Sequence, residues 1–133
     1  MIINESNAKH LCSKEIYIHD DSLLFLNFDR DNKVMNLQFQ KYATKSEFYT
    51  IKFLNVIGFS MTACDFWGAS ECVLDFEYVN VDERIIIPQL KKRWAEVPNP
   101  VRDTSYDNYV ETLLTFSSGD QLRIACETIE FVR

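Results

Sequence analysis

The sequence predicts an all-β fold: an antiparallel β-sandwich or partly closed barrel of about seven or eight strands, with one short helix. Three observations carry this. Apolar and polar residues alternate with a period of two through most of the chain, which places the apolar set on one face of a pleated strand. Aromatic residues, which favour strands, make up 14% of the chain. Only one stretch has the start, spacing and stop of a helix.

Taken in order, Ser22 to Asp29 (SLLFLNFD) is strand-like, with Leu24, Leu26 and Phe28 in phase. Met35, Leu37 and Phe39 then alternate with Asn36, Gln38 and Gln40. The linking Arg30-Asp31-Asn32-Lys33 is rich in turn formers, so 22–41 reads as a β-hairpin. Phe48 to Leu54 alternates Tyr49, Ile51 and Phe53 with Thr50 and Lys52, and leads to Gly58, where a bulge or sharp bend is expected. Glu71 to Val79 sets Leu74, Phe76 and Tyr78 opposite Asp75 and Glu77. The helix follows: Pro88 suits a first helical position, Leu90, Trp94 and Val97 share a face, and Pro98 ends it. Val110, Thr112, Leu114 and Phe116 form one arm of a second hairpin, Ser117-Ser118-Gly119-Asp120 its turn, and Leu122, Ile124 and Cys126 the other arm. The apolar phase slips after Cys126 and resumes at Ile129 and Phe131, which predicts a bulge near Glu127-Thr128.

These 133 residues, 47% hydrophobic and 26% charged, are expected to form a single domain over 1–133, with a helix-bearing excursion around 80–105. The balance excludes a disordered chain. A formal net charge of −6 argues against non-specific nucleic-acid or anionic-membrane binding, which need a positive surface. The first fifteen residues lack a basic start followed by an apolar run, and no apolar stretch is long enough to cross a membrane. The expected compartment is therefore the cytoplasm, where the four cysteines, at 12, 64, 72 and 126, remain free thiols.

Catalytic chemistry finds little footing. The glycines, at 58, 68 and 119, permit neither a phosphate-binding loop nor a nucleophile elbow. Ser6-Asn7-Ala8-Lys9 has the Ser-x-x-Lys spacing without its companion motifs. A His10/Cys12/Cys64/Cys72 metal site lacks ligand spacing, and His19-Asp20-Asp21 reads more simply as a polar turn than as the corner of a hydrolase. No enzyme activity, no cofactor and no metal is expected.

Binding has more support. Between Lys52 and Arg84 there is no basic residue, while Asp65, Glu71, Asp75, Glu77, Asp82 and Glu83 fall inside that window. The following stretch is basic, with Arg84, Lys91, Lys92, Arg93 and Arg102. Inside the acidic window sits Cys64-Asp65-Phe66-Trp67-Gly68, a loop with adjacent aromatics of the kind that anchor interfaces. The expected partner-binding set is Asp65, Phe66, Trp67, Glu71, Asp75 and Glu77, a face that would steer a basic protein. The alternative is a small barrel carrying an apolar ligand among its many Phe and Tyr side chains.

His19-Asp20-Asp21 before SLLFLNFD, Tyr49 to Phe53 leading into Asn55-Val56-Ile57-Gly58-Phe59, and Ser118-Gly119-Asp120 with Leu122, Ile124, Cys126 and Glu127 give a layout of alternating strands with a few polar landmarks. It resembles small uncharacterised bacterial β-proteins, some of them grouped with immunity proteins of polymorphic toxin systems. That resemblance implies a cytoplasmic, non-enzymatic protein whose partner is another protein, a basic toxin being the immunity-type case. It assigns no site residue. An unpaired strand edge would also allow a homodimer, although no residue pattern selects one.

Overall fold

A computed structural model of the chain describes residues 1–62, 71–100 and 104–133. Its elements, in chain order, are β1 (Ile2–Ile3), α1 (Ala8–Lys14), β2 (Ser22–Asp29), β3 (Val34–Gln40), β4 (Phe48–Leu54), β5 (Gly58–Met61), β6 (Glu71–Tyr78), a 3-10 turn (Val81–Glu83), α2 (Ile86–Ala95), β7 (Val110–Phe116), β8 (Gln121–Cys126) and β9 (Thr128–Val132). Every strand pairing is antiparallel, in the order β1-β9-β4-β3-β2-β6-β7-β8-β5. The all-β class holds. The strand beyond the eight that alternation marks is β1, whose two residues are too short to show a period.

The order divides into two layers joined by β6. Glu71 and Cys72 pair with β2, whereas Val73 to Tyr78 pair with β7. Inward side chains of both layers meet in one core, where Met35, Leu37, Phe39, Ile51, Phe53, Val73, Val110, Leu114, Phe116, Ile124 and Ile129 are fully buried. Removing each large apolar side chain from water contributes about 1.5–3 kcal/mol. At the opposite side the chain crosses between layers at two corners, 55–57 and Glu127. They are tied together: Asn55, at φ 52°, donates from Nδ2 to Tyr109 Oη and to Glu127 Oε2, both at 2.8 Å. The phase slip read at Glu127-Thr128 is this corner.

Several expectations need correction. Two register shifts upset simple alternation. In β2 the shift lies between Leu23 and Phe25, so Leu24, Phe25 and Leu26 are all exposed rather than Leu24 and Leu26 facing the core. In β6 it lies between Val73 and Asp75, so Val73 rather than Leu74 is buried. The bend expected at Gly58, between two strand segments, lies at the 55–57 corner just before it, and Gly58 itself is no bulge. It begins β5, and a Cβ there would lie 2.8 Å from Ile86 Cγ2, so glycine lets α2 approach the sheet closely.

α2 begins at Ile86, placing Pro88 third rather than first, and α1 is a second helix where none was expected. The start of α2 is set from outside. Glu111 on β7 accepts the backbone N–H groups of Ile85 at Oε2 (2.8 Å) and of Ile86 and Ile87 at Oε1 (both 3.0 Å). Pro88 has no N–H to satisfy, and Gln89 N–H bonds back to Ile85. The unpaired donors of the first turn are thus accounted for. α2 lays Ile86, Ile87, Leu90 and Trp94 over Ala125, Ile57, Tyr106 and Tyr109 in a second apolar cluster.

Candidate functional site

The register shift in β6 shapes its outer face. Val73 and Phe76 both point into the core, leaving two residues rather than one between them, so Leu74 and Asp75 both turn to solvent. Glu77 is the next outward residue and is exposed as well. Across the strands Glu77 faces Leu113 on β7, which in turn faces Arg123 on β8. The 3-10 turn just after β6 adds Asp82 and Glu83.

The charge here is under-compensated. Partial burial comes first among the causes that raise the Glu77 carboxyl above its ordinary value, followed by repulsion from Asp75 and from Glu83. Arg123 offsets part of this, but its guanidinium is committed to Glu111, with Nη1 2.8 Å from Oε2. No described residue forms an ion pair or side-chain hydrogen bond with Asp75 or Glu77. The acidic window of the sequence therefore survives as an acidic strand face in space, around Asp75, Glu77 and Glu83.

The remaining expected site residues fare differently. Glu71 pairs opposite Leu23 at the start of β6. Asp65, Phe66 and Trp67 lie outside the described residues. The basic stretch is also less of a surface than it reads. Arg84 is a buried structural cation: Nη2 binds both oxygens of Glu5 at 3.1 and 2.9 Å and Tyr78 Oη at 2.9 Å, while Nε and Nη1 donate to the carbonyls of Val79 and Tyr109.

No protein-family model matches the chain, and no curated protein sequence matches it. A solved structure, that of an uncharacterized protein from Neisseria gonorrhoeae, is similar over 98% of this chain and 96% of that one, at 17% sequence identity and a TM-score of 0.45.

The groups that resemble catalytic parts have structural surroundings. His19 Nδ1 lies 3.1 Å from Asp20 Oδ2, both side chains are more than two-fifths exposed, and Asp20 sits at φ 71° in a turn. Asp21 is buried, accepting from Tyr42 N at 2.9 Å and Tyr49 Oη at 2.6 Å. Burial, then this bond to Asp21, pushes the Tyr49 phenol well above its ordinary value, so it stays protonated. No group of three or more metal-ligating side chains occurs among the described residues. Cys12 and Cys126 are free thiols, and burial pushes the Cys12 thiol up to about 11 and that of Cys126 higher. Such thiols are poor nucleophiles. No described helix is long and apolar enough to cross a membrane.

The sequence reading missed Glu111 and Asp21 as buried acids. Glu111 sat on what read as a solvated face. The one signal available was Arg123, which a hairpin turning at 117–120 carries across to β7 beside it.

Proposed function

We propose that the chain is a non-enzymatic protein-interaction module that docks a basic protein on the outer face of β6. One observation carries this reading: Asp75 and Glu77 stand exposed beside Glu83 with no cation among the described residues paired to them. A cationic partner would relieve that repulsion, and complementary potentials speed encounter and fix register. Leu74, 44% exposed beside Asp75, supplies an apolar anchor within the acidic rim. The partner class this favours is a small basic protein met in the cytoplasm, of the kind an immunity-type inhibitor would mask.

The carrier reading has less support, because Phe39, Phe53 and Phe116 are themselves fully buried in the core and fill space a ligand would need. A hydrolase built on His19-Asp20 has only a solvent-exposed pair to work with.

The test is a titration of the labelled chain with a small basic protein, followed by NMR. Shifts should gather at 74–77 and 82–83 and weaken with added salt. Asp75→Lys/Glu77→Lys should lower affinity at least about tenfold and flatten the salt dependence. Equal affinity and equal salt dependence in the double variant would remove the acidic face from consideration.

A further inference from the structure

A cavity of about 360 Å³ opens at one end of the interior, on a surface that shares no residue with the acidic face. It lies where inward side chains of β4 and β9 reach the end of the layers. Tyr49 and Phe131 form part of its wall, their rings nearly parallel (18°) with centroids 6.2 Å apart, and Phe39 continues the stack behind Tyr49 at 5.4 Å. Tyr17, almost fully exposed, stands at its rim. Cavities of this size at the mouth of a β-structure suit a small molecule of one or two rings.

The polar groups decide its character. Four charged side chains line it besides the aromatics: Glu15, Asp21, Lys41 and Arg133. Of the acids, Asp21 is engaged, accepting from Tyr42 N and Tyr49 Oη, while Glu15 meets only the exposed His10, at 3.4 Å, and stands at the outer edge of the site. Arg133 forms no ion pair with a described residue, yet its charge reaches Tyr49. Lys41 lies 3.3 Å from Glu47, whose side chain is more than half exposed. Such a surface pair is worth only about 0–1 kcal/mol and yields readily to a competing anion. The cavity therefore offers an aromatic wall with two available cations.

We propose that this cavity binds a small aromatic carboxylate, with its ring against Tyr49 and Phe131 and its carboxylate on Arg133 and Lys41. The guanidinium suits a carboxylate because its planar donors match both oxygens. Asp21 acts as a positioning residue, holding the Tyr49 ring through its hydroxyl.

The experiment uses 4-hydroxyphenylacetate as probe, with its neutral amide and tyramine as controls, in a two-dimensional NMR titration of the full chain. The acid should shift signals of Tyr49, Phe131, Lys41 and Arg133 and bind at least about tenfold tighter than the amide. Arg133→Gln, a substitution at an exposed site, should remove most of that difference while leaving the rest of the spectrum unchanged, and Lys41→Gln should do the same in part. No shift at these residues by about 10 mM acid, equal binding of acid and amide, or preference for tyramine would each overturn the proposal.

Discussion

Glu111 and Arg123 form a buried ion pair across the β7–β8 hairpin, 2.8 Å between Oε2 and Nη1, with the Glu111 side chain wholly removed from solvent. The same carboxylate receives three backbone N–H groups at the start of α2. One side chain thus joins the hairpin to the helix. Glu111→Ala should cost about 3–5 kcal/mol, because it strands a buried guanidinium and three amide donors together. Urea denaturation measures the loss, and hydrogen exchange should show the first turn of α2 losing protection ahead of β7. A loss under about 1 kcal/mol would mean the carboxylate is not the anchor of the helix.

One residue further on, the same strand carries a gain. Thr112 points inward from β7 with a buried Oγ1 that finds no partner among the described residues. Valine has nearly the same shape without the hydroxyl. Thr112→Val should therefore stabilise the fold by about 1 kcal/mol, read as a rise in Tm. A fall in Tm would show that the hydroxyl is bonded.

Gly58 can be tested by adding a single methyl group. A Cβ would stand 2.8 Å from Ile86 Cγ2 and 3.7 Å from Leu90 Cδ1. Gly58→Ala should destabilise by about 1–3 kcal/mol through overpacking between β5 and α2. Paired with Ile86→Ala, the two losses should sum to more than the double variant shows, since the second change makes room for the first. Simple additivity would contradict the close approach.

The folded chain holds the proton of Glu77 to a higher pH than its ordinary value of 4.5. In the window from that value up to its raised one the native state binds more protons than the unfolded state, so this group lowers stability as pH rises through it. Glu77→Gln should consequently raise Tm slightly at neutral pH, with the gain disappearing in acid below the ordinary value. Because Glu77 is exposed, the change should stay within about 0.5 kcal/mol. Thermal melts of both proteins across an acid-to-neutral series measure it, and a constant difference between them at every pH would assign the effect to packing.

The strand framework was legible because period-two alternation is a local signal, and Met35-Leu37-Phe39, Tyr49-Ile51-Phe53 and Leu122-Ile124-Cys126 carry it without interruption into the core. The reading went astray where a long-range fact intervened. Nothing near Leu24 or Leu74 in the chain signals a register shift, since that arises from pairing with β3 and β7. Ile86 looked like a residue before the helix because the group that starts the helix lies 25 residues further on, in Glu111. α1 escaped notice because its seven residues bury only Ala8 and Cys12, too few to mark a face. At the acidic face, Asp75 and Glu77 were readable from the same alternation. The share of the charge that Arg123 offsets was not, because it reaches Glu77 only across β7.

The position of β9 bears on how the molecule is made. Residues 128–132 lie between β1 and β4, so strands from the beginning and middle of the sequence are joined only by one synthesised after them. While the ribosome is still extending the chain, β2, β3 and β4 can form a meander, but the outer side of β4 from Thr50 to Leu54 waits without its neighbour. An uncovered row of amides beside Ile51 and Phe53 is a template for another nascent chain. Closure must therefore follow translation of residue 132, and the interval before it is when this protein depends most on being kept apart from its own copies.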